Sequence, residues 1–324
     1  MIVPQTYKPI KTLFVFKGSS LEQTWRRILA ATLLSVVITL VQVEYDLLDF
    51  TLTALPFTLI GLALSIFLGF RTNAAYDRWW EGRKLWGGIV NITRSYARQL
   101  QTFVDDGDAQ NAGDDGRLLR HDTVHDQTIR TIAWTHALRL HLRTGNLWNR
   151  DLAGTLAPLL SEAEIAELRE STNVPISILH EMGLRLRTAR QAGQLTDYQA
   201  VLLERSLQEM TALQGGCERI RNTPVPWGYT VLLHRLVFFY CFALPFGIVE
   251  DVGWATPLVV MLVSQALFGL DEIIIDIQEP FDEEPNSLPL LALATTIERN
   301  LRDVLDQPDA AIPPPTQPVD GVLW

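Results

Sequence analysis

Apolar residues gather in four runs along this chain, at about Ile28 to Val43, Leu55 to Phe70, Tyr229 to Val249 and Val252 to Ile277. Each run is helical in character, and each approaches the roughly 20 residues needed to cross a bilayer. Their spacing predicts two hairpins, with tight connections at Glu44–Phe50 and Glu250–Trp254. Neither connection carries Lys or Arg, whereas the opposite flanks carry Arg26, Arg27, Arg71, Arg78, Arg83 and Lys84. That asymmetry predicts both termini and the long middle segment on the cytoplasmic side of an inner membrane. The competing reading is two buried hairpins of a water-soluble core, which the Lys-free, acidic turns disfavour. Arg26-Arg27 ahead of an apolar run imitates a secretory leader, but the run ends in Val-Glu-Tyr-Asp without small residues for cleavage.

The second run differs from the others. From Phe57 it continues without proline into a stretch crowded with Arg, Lys and Trp as far as Trp86, as expected of one helix that leaves the bilayer and enters the cytoplasm. Leu62, Ile66 and Phe70 recur four apart and share one face. Such a stripe suits the lining of a dry, narrow passage, although by spacing alone it is more often an ordinary packing seam between helices. Gly61 and Gly69 on the same run permit close approach of neighbouring helices around an axis.

Between the hairpins the periodicity predicts helices over 122–144, 161–171, 175–192 and 195–221, with Thr223-Pro-Val-Pro226 ending the last and redirecting the chain. Residues 105–116 read as a solvated acidic loop, without the ligand spacing of a calcium hand. A further helix is expected at about 288–305, followed by a proline-rich, extended tail. The expected organisation is all-α. It runs as a cytoplasmic N-terminal segment (1–24), a first transmembrane hairpin (25–70), a cytoplasmic helical body (71–228), a second hairpin (229–278), a C-terminal turn and helix (279–305), and a tail (306–324).

Composition agrees with a few spans attached to a water-exposed body: 324 residues, 48% hydrophobic. The formal net charge of −10 argues against a nucleic-acid partner. Two cysteines, Cys217 in a polar helical region and Cys241 in an apolar run, imply no disulfide framework.

Three stretches together resemble the bestrophin family in its bacterial branch: Gly69 to Arg83 (GFRTNAAYDRWWEGR), Arg221-Asn-Thr-Pro-Val-Pro226 before the third run, and Glu279 to Pro289 after the fourth. With the four-run spacing, the resemblance covers most of residues 1–305. It implies a homopentameric ion channel in membrane lipid, with one central pore lined by the second helix of each subunit. Carried over by position, Leu62, Ile66 and Phe70 match the pore neck. A second, cytoplasmic constriction is implied on the helix beginning Val174-Pro175, with Ile178 the first choice and Ile176 the second.

Two departures from the animal members bear on function. Their calcium-gripping acidic run is here the shorter Asp282-Glu283-Glu284, cut by Pro285, so calcium activation is not expected. Their neck has more aromatic rings, whose positive edges face anions; here two of three neck positions are aliphatic. With Glu44, Asp46 and Asp49 as acidic candidates at the outer mouth, the expectation leans to monovalent cations, sodium and potassium. A chloride or anion channel of the same fold is the alternative. A membrane-anchored scaffold without conductance is the second.

Other chemistry is sparse. His121 and His125 lie one helical turn apart and are a weak metal candidate; a solvated first turn beside the acidic loop is the favoured reading. His180 and His234 read as hydrogen-bonding residues on helix faces. Asp271 and Glu272 sit near the end of the fourth run, either as functional intramembrane acids or as a mark that the helix has left the bilayer. With no phosphate loop, nucleophile motif or CxxC in the sequence, neither an enzyme nor a cofactor is expected.

Overall fold

The computed structural model describes residues 19–45, 53–105, 114–143, 151–305, 312–319 and 322–323, with side chains of the third segment from 122 onward. Asp46, Asp49, the side chain of His121 and most of the acidic loop lie outside the described residues. Within them every extended element is helical, and β-pairing is limited to the isolated bridge between Val319 and Val322.

The helices are α1 (Ser20–Thr39), α2 (Ala54–Phe103), α3 (Asp114–His141), α4 (Leu152–Leu156), α5 (Glu162–Arg169), α6 (Val174–Gln191), α7 (Asp197–Asn222), α8 (Trp227–Val252), α9 (Thr256–Gln278) and α10 (Leu290–Val304). A single π-helical turn, Leu40–Glu44, extends α1. α5 and α7 start at capping boxes: Ser161 with Glu164, and Thr196 with Gln199, each exchange side-chain and backbone hydrogen bonds. Asn173 caps α6 by accepting from the Ile176 amide, and Pro175 sits in the first turn, where its missing N–H costs nothing.

Three apolar helical stretches are long enough to cross a membrane: Ser20–Glu44, Ala54–Phe103 and Trp227–Gln278. A 3-10 turn at Gly253–Ala255 splits the last into α8 and α9, and Gly253 takes φ +58°, a left-handed conformation that suits glycine. At 1.5 Å per residue α8 and α9 are each more than about 30 Å long, enough for the hydrocarbon core. Apolar side chains of all four membrane helices face outward: Leu29 and Leu33 of α1, Leu59 of α2, Phe239 of α8, and Leu258 and Leu262 of α9 are exposed. Apolar surface this continuous suits lipid or another subunit, not water. Trp25 lies in the second turn of α1 and Trp227 opens α8, while Tyr45 follows the π-turn that extends α1 and Trp254 follows the end of α8, the positions where amphipathic rings meet headgroups.

Among the described residues, three hydrophobic clusters stack along α2, the smallest formed by Phe57 of α2 with Ala31, Leu244 and Val260. In the membrane part, Leu64, Leu68 and Ala75 meet Ile28 of α1, Leu233, Val237 and Cys241 of α8, and Phe268 and Ile274 of α9. In the body, Trp86, Ile89, Tyr96 and Leu100 of α2 meet Trp134 of α3, Met182 of α6, Met210 and Cys217 of α7, and Ile297 and Leu301 of α10. The cysteines are unpaired and buried, one in each of these two larger clusters. α2 and α7 approach closely because glycines alternate with leucines. A Cβ on Gly88 would stand 2.8 Å from Leu213, and one on Gly216 would stand 2.8 Å from Leu85.

The segment between α9 and α10 is a turn folded onto α2. Phe281, Leu288 and Leu290 enter the body core. Trp79 Nε1 donates to the Asn286 carbonyl at 3.0 Å, and Asn286 Nδ2 donates to Asp276 at 2.9 Å. Arg78 caps two helix ends at once, donating to the carbonyls of Ile220, Thr223 and Gln278 at 2.8, 2.6 and 2.9 Å. Those are carbonyls that a helix terminus leaves without intrahelical partners.

Candidate functional site

Leu62, Ile66 and Phe70 stand in one line on α2 and are 61%, 51% and 64% exposed in the protomer. The packing seam of the same helix is a different line, through Phe57, Leu64, Leu68, Arg71 and Ala75, all buried. Two residues along a helix turn about 200°, so Leu64 and Leu68 point away from Leu62 and Ile66. The stripe therefore does not serve as the seam within one subunit. Of the two glycines on this run, Gly61 packs inside the protomer, where a Cβ would lie 2.6 Å from the Tyr240 hydroxyl of α8; Gly69 has open space around it.

The two candidates for the second constriction differ in exposure within the protomer. Ile178 is 1% exposed and belongs to the body core. The first turn of α6 directs Ile178 inward and leaves Ile176, the second choice, 37% exposed. Ile176 lines a shallow groove of ≈ 360 Å³ between α6 and α7 with His180, Leu184 and Glu204. Glu44, the last residue of the π-helical turn that extends α1, is exposed.

Directly after Phe70, the chain buries a charge. Arg71 Nη1 donates to Asp271 Oδ1 of α9 at 2.5 Å, with both side chains 1% exposed. The other carboxylate oxygen, Oδ2, lies 2.7 Å from His234 Nδ1 of α8. A carboxylate held by a guanidinium only accepts, so His234 Nδ1 is the donor. Arg71 Nε and Nη2 are buried without hydrogen-bond partners among the described residues. The next residue, Glu272, pairs with Arg27 of α1 at 3.3 Å. Arg71 and Arg27, which in sequence read as free interfacial cations, are thus tied to acids on α9. Asp271 has not left the helical bundle; it is buried and neutralised in it.

The acidic turn is only partly relieved by cations. Burial raises the Glu284 carboxyl above the usual range, and Asp276 and Asp282 raise it further. Glu283 lies near enough to Arg139 of α3 to support its charge. Burial and the adjacent Arg143 nevertheless bring the Arg139 guanidinium down to about 10. Among the described residues, no three His, Cys, Asp or Glu side chains converge to hold a metal, and His125 is half-buried on α3.

In the body, Arg130 bridges Asp126 and Glu164, and Arg185 joins Asp126, Glu164 and Glu181, tying α3, α5 and α6 together. Burial alone would raise the Glu164 carboxyl. Hydrogen bonds from Arg130 and from the Ser161 amide and hydroxyl outweigh it and bring Glu164 down to about 2. No sequence signal singles out this network; Asp271 and His234 stand out one by one, and only the fold groups them with Arg71.

Residues 1–303 match the profile of the Bacterial/Fungal Bestrophin protein family. The chain is 34% identical over 309 residues to the voltage-dependent anion channel-forming protein YneE of Salmonella typhi, covering 95% of each. It is 35% identical over 314 residues to the voltage-dependent anion channel-forming protein RSc3414 of Ralstonia nicotianae, again covering 95% of each. Among solved structures, a bacterial bestrophin homologue from Klebsiella pneumoniae superposes with a TM-score of 0.76 at 34% identity, covering 87% of this chain and 98% of that one. Fold, length and sequence agree from end to end: this chain is a membrane protein of the bacterial and fungal bestrophin family.

Proposed function

We propose that the chain is the subunit of an ion channel, in which five copies surround one axis and turn the Leu62–Ile66–Phe70 face of α2 toward it. The observation that carries this reading is the exposure of that face opposite a fully packed seam. An apolar ring of this kind excludes bulky hydrated solutes and gates by dewetting. In the same reading α1, α2, α8 and α9 are four crossings of an inner membrane, both termini are cytoplasmic, and Ile176 narrows the cytoplasmic exit.

The conducted ion is proposed to be an anion, chloride in the simplest case. This replaces the lean toward sodium and potassium, because the relatives that match over nearly the whole chain are named anion channel-forming proteins. The cation reading keeps one specific support: two of the three neck residues are aliphatic and offer no ring edge to an anion. Purified protein in liposomes under a potassium chloride gradient decides between them. A reversal potential following chloride supports the proposal; one following potassium overturns the anion assignment. Absence of any current favours a tethering role for the helices instead. Mass measurement in detergent tests the ring of five, and a monomer or dimer sinks it.

A further inference from the structure

We propose that Asp271 and His234 are positioning residues for the neck: together with Arg71 they fix α2 at the residue directly below Phe70, and a proton on His234 loosens that hold. The inference rests on reading Leu62, Ile66 and Phe70 as the neck.

The geometry concentrates the hold at one point. Asp271 Oδ1 accepts from Arg71 Nη1 at 2.5 Å and Oδ2 accepts from His234 Nδ1 at 2.7 Å, so one carboxylate joins α2, α8 and α9. Arg71 and Asp271 are 1% exposed, whereas the His234 side chain is 37% exposed and reachable by protons. The Arg71 contact is a single hydrogen bond, not the two-pronged fork a guanidinium can make, because Nε and Nη2 stay without partners. A single-point contact depends on how much carboxylate charge Arg71 can command.

With neutral His234 the group holds one cation and one anion. The charges around it come from each neighbouring helix. Arg71 belongs to α2. Asp271 and Glu272 belong to α9, and Arg27 of α1 already pairs with Glu272. Histidine is the side chain that changes charge between about pH 5 and 8. Protonation at Nε2 leaves Nδ1–H donating but puts a second cation on the same carboxylate. Arg71 then shares its counter-charge, and a net positive charge per subunit arises one residue below the neck. Both effects act on conduction: α2 is held less firmly, and the local potential favours anions.

Two readouts test this. The first is current from liposome-reconstituted channel between pH 8 and pH 5.5. Current in the parent is expected to change about threefold, upward for a conducted anion and downward for a conducted cation. His234→Asn keeps an amide donor at the Nδ1 position and cannot be protonated, so its profile, normalised to pH 8, is expected to be flat. Superimposable profiles overturn the proposal. The second readout needs no current: amide exchange of the peptide containing Phe70–Ala75, corrected for the chemical effect of pH. Acid is expected to speed it about threefold in the parent and leave it unchanged in His234→Asn; equal responses overturn the tie itself. A silent channel whose exchange still responds in this way supports the tie and counts against the conduction reading. Asp271→Asn, which leaves Arg71 a buried cation without its anion, is the harsher variant and the one expected to fold poorly.

Discussion

Phe70 and Arg71 are consecutive on α2, yet Phe70 is open on the surface of the protomer while Arg71 is sealed inside it, 2.5 Å from Asp271. One step of about 100° around the helix separates the proposed pore surface from the deepest charge in the membrane part. Each substitution on α2 thus has a foreseeable consequence, according to which line of the helix it falls on.

Ile66→Ala falls on the open line. It is expected to leave the thermal stability of the assembled protein within a few degrees and to raise single-channel conductance about twofold or more by widening an apolar constriction. Leu64→Ala falls on the seam and is expected to cost about 2–4 kcal/mol through the cavity it leaves. Single-channel recording and denaturant titration distinguish the two. Unchanged current with Ala at Leu62, Ile66 and Phe70 alike removes the neck assignment.

Ile66→Phe adds a ring at the neck. Ring edges carry partial positive charge, so the ratio of chloride to potassium permeability is expected to rise. Reversal potentials of parent and variant under the same gradient measure it, and a fall in the ratio contradicts the expectation.

Gly247→Ala tests the packing of α8 on α2. A Cβ there would sit 2.1 Å from the Phe57 ring, so the two helices must separate, at a cost of about 1–3 kcal/mol. Pairing it with Phe57→Leu is expected to restore much of the loss of thermal stability. A single variant as stable as the parent shows the contact to be soft.

The Glu164 network predicts acid sensitivity of the body. Its carboxyl is held at about 2 in the folded chain, below the roughly 4.3 of an unfolded Glu. The stabilisation is therefore fully present above pH 4.3 and is lost as pH falls toward 2. Glu164→Gln is expected to lower the unfolding temperature by a few degrees at pH 7 and by progressively less below pH 4. A deficit that stays constant across that range refutes the charge origin.

Calcium is expected to leave the channel indifferent. Asp282, Glu283 and Glu284 are part of a turn anchored by Phe281 and Leu288, and Glu283 already faces the cation of Arg139. Open probability measured in chelator and in micromolar calcium should agree within about twofold. A steep rise with calcium that Asp282→Ala abolishes shows that a working clasp survives.

Much of this architecture is legible in the chain because it repeats. Helical periodicity marks α5, α6 and α7 within a few residues and α3 from its third turn onward, eight residues after its start at Asp114, and the same periodicity puts Leu62, Ile66 and Phe70 on one face. What periodicity cannot do is pair distant residues. Arg71 and Asp271 are 200 positions apart, so Arg71 reads as one more interfacial cation and Asp271 as a costly or emerging acid. Ile176 and Ile178 show the same limit at short range. Both are apolar in the first turn of α6, and only the position of the body core decides which is buried. The short helix Leu152–Leu156 and the π-turn at Leu40–Glu44 escape notice because so few residues set no period.

α2 runs unbroken for 50 residues, from the membrane part through the middle of the body, a rod of about 75 Å. It contains no proline after its first turn and no break in its hydrogen bonding that would serve as a joint. A rod of that length works as a lever. Tilting it by one degree about either end displaces the other by ~1.3 Å, comparable to the change in radius that wets or dries an apolar constriction. Small strains in the packing of α7 or α10 on the body half of α2 would therefore reach the proposed neck enlarged by leverage, with no hinge between to absorb them.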